Sequence, residues 1–146
     1  VERFAFVEAY RYEGQGWGLC YDGERLVMSD GSDELTFRDP DSFDVIGSVR
    51  VTLDGSPLVR LNELECVDDV VWANVWKEDI IVHIDPADGR VSGVLDLGGI
   101  IEPHPADADP GAVLNGIAWD AAAGTFLVTG KDWPELIEIR VLAPEA

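Results

Sequence analysis

Residues 61–86 read LNELECVDDVVWANVWKEDIIVHIDP, in which short apolar runs alternate with acidic turns. Runs of this length and period, bounded by Asp and Pro, are typical of β-strands rather than helices. The polar residues Asn62, Glu63, Glu65 and Asn74 lie among the valines and leucines of these strands. Burying an amide or a carboxylate without a partner costs a few kcal/mol. These side chains therefore either bond to one another as part of the structure or line a site.

The same pattern occurs three times along the chain. Residues 17–40, 63–86 and 115–140 each contain a strand, an Asp-containing turn, a second strand, a connection and a third strand. A fourth strand follows the first two repeats. The repeats begin about 45 to 50 residues apart, which is the length of a four-stranded propeller blade.

This repetition predicts an all-β fold, with a single β-propeller domain over residues 1–146. Its blades are expected at about 17–61, 62–112 and 113–142. Residues 1–16, with apolar side chains at alternating positions, are predicted to form the outer strand of a preceding blade. Three blades do not close a propeller, and open blade edges expose unpaired backbone groups. We therefore expect the chain to be the C-terminal part of a larger propeller, incomplete at its N-terminus.

The charge of the chain excludes some partners. Its 29 acidic and 10 basic residues give a net charge of −19, and binding of nucleic acid needs Lys and Arg to neutralise phosphates. No apolar run approaches the roughly 20 residues that span a bilayer, so we predict no membrane partner. The acidic field would instead attract cationic ligands.

The cysteines and histidines indicate no metal site. Cys20 and Cys66 have no metal-ligand spacing, and two cysteines make no disulfide framework. We expect both to be small buried core residues. His83 and His104 also lack partners at ligand spacing.

Six motifs of the chain, in order and spacing, resemble the glutamine cyclotransferase family, that is, the glutaminyl-peptide cyclotransferases of the plant and bacterial type. They are 14–19 (GQGWGL), 29–32 (SDGS), 62–65 (NELE), 71–76 (VWANVW), 114–118 (LNGIA) and 129–134 (TGKDWP). Together they cover nearly the whole chain.

The resemblance implies a five-bladed β-propeller of which this chain covers about three C-terminal blades. It implies an enzyme that converts the N-terminal glutamine of a peptide or protein into pyroglutamate and releases ammonia, without zinc or another cofactor. Secreted or periplasmic location and a monomeric full-length protein are expected on the same basis. The family's proton-handling glutamate is expected upstream of residue 1, so activity is expected of the full-length protein.

Lys131 and Asn62 are the predicted catalytic residues. Lys131 directly follows a predicted strand and Gly130, and the repeats place it level with Trp76 in the preceding unit. Its ammonium group would polarise the substrate amide or stabilise the oxyanion. Asn62 begins an inner strand and could orient the substrate amide through its donor and acceptor groups.

Four further residues are predicted to bind substrate. Trp17 and Trp76 match positions that the family uses as aromatic walls, although a Trp in a β-protein is ordinarily a core residue. Glu63 and Glu65 alternate with Leu64 and share one face of a strand. One of them could shuttle protons or bind the substrate α-ammonium group, or both could bridge blades by hydrogen bonds.

Two other functions are considered. A metal-dependent lactonase-like propeller hydrolase would use Asn, Glu and Asp ligands, for which Asn62, Glu63, Asn115 and Asp120 are available. An inactive binding or scaffold propeller would release no ammonia from peptides that begin with glutamine.

Overall fold

The computed structural model describes residues 3–102 and 104–142, and these residues form an all-β fold. The first sheet contains β1 (Gly18–Tyr21), β2 (Leu26–Ser29), β3 (Glu34–Arg38) and β4 (Val45–Arg50). A short hairpin of β5 (Thr52–Leu53) and β6 (Ser56–Pro57) follows. The second sheet contains β7 (Leu61–Val67), β8 (Val70–Val75), β9 (Ile80–Ile84) and β10 (Val91–Asp96). The third contains β11 (Leu114–Asp120), β12 (Thr125–Gly130) and β13 (Ile137–Ile139).

Each sheet is an antiparallel meander in which consecutive strands pair with one another. The turns between the first two strands are acidic, as the sequence predicts. Asp22 accepts hydrogen bonds from the backbone N–H groups of Glu24 and Arg25, and Asp120 does the same for Ala122 and Ala123. Asp side chains close such turns by bonding to the backbone that follows them.

Helical structure among the described residues is limited to a 3₁₀ turn at Pro105–Asp107. No helix in the described part of the chain has the length and hydropathy needed to cross a membrane. The prediction of an all-β fold is confirmed.

The sheets pack on one another in chain order. One buried cluster joins the first and second sheets and includes Val27, Leu35, Leu61 and Val75. A second cluster joins the second and third sheets and includes Ile81, Leu114, Phe126 and Val128. The first strand of the second sheet, β7, contacts the first strands of both neighbours, β1 and β11.

The approach of β1 to β7 is close enough to require a glycine. A Cβ atom at Gly18 would lie 2.2 Å from the backbone oxygen of Asn62. The first strands of the three sheets therefore lie side by side, which brings the residues at their ends together.

The cysteines are core residues as expected, since Cys20 is buried and Cys66 packs partly buried against the same cluster, but the bond between them was not predicted. Cys20 in β1 and Cys66 in β7 form a disulfide, with their Cα atoms 5.5 Å apart. β1 and β7 lie next to each other, and the distance between the two Cα atoms is within the range that a disulfide spans.

The predicted outer strand at the N-terminus is also absent from the described residues. Residues 3–17 form no strand, and Phe4 is 98% exposed. An alternating apolar pattern forms a strand only when another strand pairs with it, and no strand of the described chain does so here. Tyr10 and Tyr12 instead lie against Phe43, with ring centroids 5.6 and 5.8 Å away. Residues 1 and 2 lie outside the described part.

Candidate active site

A hollow of about 340 Å³ opens at one edge of the three sheets. Its lining comprises Gln15, Gly16, Trp17, Asn62, Trp76, Asn115 and Lys131. Each of these residues lies at or near a strand end that the antiparallel order brings to the same edge: the starts of β1, β7 and β11, and the ends of β8 and β12. Four of the six predicted site residues therefore meet in one place, namely Lys131, Asn62, Trp17 and Trp76.

Two indole rings form a corner of the hollow. The rings of Trp17 and Trp76 meet edge to face, with centroids 5.5 Å apart and planes at 80°. The Nε1 atom of Trp17 donates a hydrogen bond to Oε1 of Gln15 at 3.0 Å. Gly31, with a φ of 87°, lies beneath Trp17, where a Cβ atom would come within 2.7 Å of the ring. The indole of Trp17 is thus held from two sides.

Two carboxamides of the lining meet each other. Nδ2 of Asn62 donates to Oδ1 of Asn115 at 2.7 Å, and the backbone oxygen of Asn62 accepts from the hydroxyl of Ser29 at 2.5 Å. Asn62 is only 6% exposed. Because each carboxamide has two N–H donors and one oxygen acceptor, the pair retains hydrogen-bonding groups for a ligand in the hollow.

Lys131 provides the positive charge. Its backbone N–H donates to the carbonyl of Val113 at 2.9 Å, which anchors the end of β12, while its side chain is exposed. Within the described residues, Lys131 forms no ion pair. Trp133 packs against Gly130 and donates from Nε1 to the carbonyl of Ala112 at 3.0 Å. The loop that carries Lys131 is therefore fixed, and the ammonium group is available.

Glu63 and Glu65 lie outside this lining, between the second and third sheets. Glu63 accepts from the backbone N–H of Ile117 at 2.9 Å, and Glu65 accepts from that of Trp119 at 3.0 Å. Asn74 adds a third such bond by accepting from Gly116 at 3.1 Å. Of the three roles considered for the glutamates, these hydrogen bonds fit that of bridges between sheets.

The environment of Glu63 also alters its acidity. Burial raises the pKa of Glu63, the hydrogen bond from Ile117 lowers it, and the nearby carboxylate of Glu65 raises it, so that the net pKa is about 7. Burial disfavours the charged form of a carboxyl group. Glu63 therefore exchanges its proton near neutral pH, although it does so beside β11 and not in the hollow.

Sequence reasoning missed Gln15 and Asn115 as lining residues. Asn115 occupies in β11 the position that Asn62 occupies in β7, and this repetition is the signal that could have identified it. For Gln15, the signal in the sequence is its position within the GQGWGL motif. Asp120, considered as a metal ligand with Asn62, lies at the far end of β11 and closes a turn. No group of three His, Cys, Asp or Glu residues in the described part is arranged to hold a metal.

The family model of glutamine cyclotransferase matches residues 1–141. The chain belongs to the glutamine cyclotransferase family. A glutaminyl-peptide cyclotransferase from Arabidopsis thaliana is 41% identical over 130 residues, a match that covers 86% of this chain and 40% of the relative. The crystal structure of Myxococcus xanthus glutaminyl cyclase matches with a TM-score of 0.77 at 45% identity and covers 89% of this chain and 56% of that one. The chain thus spans about half the length of these family members.

A more distant likeness concerns the fold alone. The β-propeller domain of Cps50 (Swd1) from Myceliophteria thermophila matches with a TM-score of 0.50 at 14% identity, covering 84% of this chain and 38% of that one.

Proposed function

We propose that the protein to which this chain belongs is a glutaminyl-peptide cyclotransferase. It converts the N-terminal glutamine of a peptide or protein into pyroglutamate and releases ammonia. The observation that carries the proposal is the convergence of Lys131, Asn62, Trp17 and Trp76 on one hollow in a chain of this family. The names of the Arabidopsis and Myxococcus relatives support the activity.

The reaction requires the site to hold the glutamine side chain folded, to stabilise an oxyanion and to transfer a proton. The neutral α-amine attacks the γ-carbonyl carbon of the same residue, a C–N bond forms, and the bond to the side-chain nitrogen breaks as ammonia leaves with a proton. Because nucleophile and electrophile belong to one residue, holding the side chain folded supplies much of the rate enhancement. Donors aimed at the developing oxyanion add about 3 kcal/mol each when they are preorganised. Proton transfer contributes about a hundredfold or more.

The residues of the hollow fit these requirements. The ammonium group of Lys131 is assigned to the γ-carbonyl oxygen, where negative charge develops. The carboxamide of Asn62 is assigned to the orientation of the substrate amide, because its own position is fixed by Asn115. The perpendicular indoles of Trp17 and Trp76 enclose the folded glutamine side chain on two sides. Glu63 and Glu65 hold the second and third sheets together and carry no step.

The architecture that we infer is a five-bladed β-propeller in the full-length protein. In this interpretation residues 1–146 belong to a single domain, and the three sheets are blades over about 17–61, 62–112 and 113–142. The side-by-side first strands β1, β7 and β11 would line the central channel. The likeness to a β-propeller domain supports this arrangement. The upstream blades would supply the proton-handling glutamate.

We infer the compartment from the disulfide, and the partners from the family and from the net charge. A disulfide such as Cys20–Cys66 persists mainly in oxidising compartments, which supports a secreted or periplasmic location. The partners are peptide or protein substrates with N-terminal glutamine, and the full-length protein acts as a monomer. The net charge of −19 argues against nucleic acid as a partner.

The decisive experiment measures ammonia release by the full-length protein from a dipeptide that begins with glutamine. A dipeptide that begins with asparagine serves as the control, because its shorter side chain cannot close the same ring. Release from the glutamine peptide alone, unchanged by a chelator, supports the proposal. Absence of release would overturn it in favour of a scaffold. Chelator-sensitive hydrolysis of lactones without action on the peptide would favour the hydrolase.

A further inference from the structure

The chain contains two lysines, and both lie at the edge where the hollow opens. Lys131 lines the hollow, and Lys77 directly follows the wall residue Trp76. Although the chain has 29 acidic residues, the ion pairs of the described part involve Arg and His and neither lysine. Lys77 also borders a second hollow, which Asp79, Glu102 and Asp107 line, but its ammonium group forms no ion pair with any described carboxylate.

The backbone at Lys77 is in a conformation that favours glycine. Its φ is 68°, within the left-handed region that a residue with a Cβ atom adopts at a cost. The corresponding position at the end of β2 is Gly31, with a φ of 87°. The second sheet thus has a lysine where the first sheet has the residue best suited to the turn. Because Asp132 holds the equivalent position after β12 with a φ of 54°, this turn does not require glycine, and the role of Lys77 depends on its side chain.

The side chain of Lys77 makes a specific contact with the neighbouring indole. Its Nζ atom lies 4.6 Å from the centroid of the Trp76 ring, within the range of a cation–π interaction. Trp76 meets the ring of Trp17 edge to face at 5.5 Å, and its backbone N–H donates to the carbonyl of Arg60 at 2.9 Å. The indole of Trp76 is therefore held by its backbone, by Trp17 and by the ammonium group.

We propose that Lys77 is a positioning residue that fixes the Trp76 indole as a wall of the substrate hollow. The inference rests on the proposed function and adds to it a residue that positions the substrate-binding indole. Lys77 acts through Trp76, so its loss weakens substrate binding more than turnover. A glycine at this position would remove the backbone strain at residue 77, but the Trp76 indole would lose its cation–π contact.

The test uses three variants of the full-length protein and steady-state kinetics with a glutamine dipeptide. Lys77→Gln keeps the Cβ atom and the approximate length but removes the charge. It raises KM about two- to fivefold, which corresponds to about 0.5–1 kcal/mol, with kcat changed less than about twofold. Lys77→Arg retains a cation over the ring and keeps KM near the wild-type value. Lys77→Gly raises KM to a similar extent, while its Tm is equal to or higher than that of the wild type.

Asp68→Gly is the matched control, because Asp68 also has a positive φ, of 51°, but lies in the turn between β7 and β8 at the opposite end of the sheet. Its KM remains that of the wild type. An unchanged KM in Lys77→Gln, or an equal increase in Lys77→Arg, overturns the proposal. So does a lowered Tm in Lys77→Gly, since that would make Lys77 a structural residue.

A second measurement separates this proposal from the proposed function. If the wild-type protein releases no ammonia, the proposed function fails, and Lys77 is judged by near-ultraviolet circular dichroism of the indole pair. A reduced tryptophan signal in Lys77→Gln that Lys77→Arg restores supports the positioning of Trp76. Identical spectra of wild type and Lys77→Gln overturn it.

Discussion

Nδ2 of Asn62 donates a hydrogen bond to Oδ1 of Asn115 across 2.7 Å, and this bond joins the first strands of the second and third sheets at the edge of the hollow. The bond fixes which way the Asn62 carboxamide faces. The group assigned to orient the substrate thus depends on a residue of the neighbouring sheet.

The first prediction concerns this pair. Asn115→Leu removes the acceptor and leaves Asn62 free to rotate, so kcat falls about tenfold, which is less than the roughly hundredfold loss expected when a preorganised donor is itself removed. Asn115→Asp retains an acceptor for Nδ2 and loses less activity. Because the two residues act as a unit, the double variant Asn62→Leu/Asn115→Leu is little worse than Asn62→Leu alone. Additive losses in kcat would show that Asn115 acts independently.

The second prediction concerns Lys131. Its side chain is exposed and forms no ion pair with the described residues, so Lys131→Ala leaves the Tm of the full-length protein unchanged. Turnover nevertheless falls at least about tenfold, because the charge opposite the oxyanion is lost. Steady-state kinetics and thermal unfolding measure the two effects. Wild-type turnover in Lys131→Ala would remove Lys131 from the mechanism.

The third prediction concerns the disulfide between β1 and β7. It links Cys20 and Cys66, which are 46 residues apart in the chain, and a native disulfide of this kind contributes about 2–4 kcal/mol. The double variant Cys20→Ala/Cys66→Ala therefore unfolds at lower urea concentration than the oxidised wild type. Reduced wild-type protein behaves like the double variant, because both lack the crosslink. Equal urea midpoints in all three proteins would refute the prediction.

The strands of this chain were predictable because their signals are local. Asp at the turns and apolar residues at every second position are readable from the sequence alone, and β7, β8 and β9 are the three strands predicted within the repeat at 63–86. The meeting of Lys131 with Trp76 was also predictable, because the two residues occupy equivalent positions in consecutive repeats. A repeat that stacks on its neighbour brings equivalent positions to the same edge.

Contacts between sheets were harder to predict from the sequence. Side chains alternate between the two faces of a strand, so Glu63 and Glu65 lie on one face of β7. Which face points to the hollow depends on how the sheets pack. The disulfide depends on the same packing. The sequence did contain a signal for the disulfide, since Cys20 and Cys66 are 46 residues apart, about one repeat length. That spacing brings the two cysteines into contact only if the first strands of the two repeats are adjacent. The alternating apolar side chains near the N-terminus had no partner strand among the described residues with which to pair.

The fourth prediction concerns the glycine beneath Trp17. Gly31 has a φ of 87°, and a Cβ atom there would lie 2.7 Å from Cζ2 of Trp17. Gly31→Ala therefore adds backbone strain of about 1–2 kcal/mol and also displaces the indole, so Tm falls and KM rises. Gly23→Ala is the matched control, because Gly23 has a φ of 99° with no atom within 4 Å of the added Cβ. It lowers Tm without changing KM. Equal KM values in the two variants would contradict the support of Trp17 by Gly31.

The fifth prediction concerns the pH dependence of stability through Glu63. Burial raises its pKa in the folded protein to about 7, from the ordinary value of 4.5, so the folded state holds a proton that the unfolded state releases between these two values. The free energy of unfolding therefore falls as pH rises through this range. The contribution of Glu63 is fully present below pH 4.5 and is lost above pH 7.

Glu63→Gln isolates this effect, because the amide oxygen still accepts from the N–H of Ile117 but carries no charge at any pH. Wild type and variant have similar unfolding free energies near the lower end of the range, where both side chains are neutral. The wild type becomes the less stable of the two at about pH 8, because its buried carboxylate must then be desolvated next to Glu65. Urea titrations of both proteins at about pH 5 and about pH 8 measure the difference. A difference that is the same at both pH values would show that Glu63 does not change its protonation on folding.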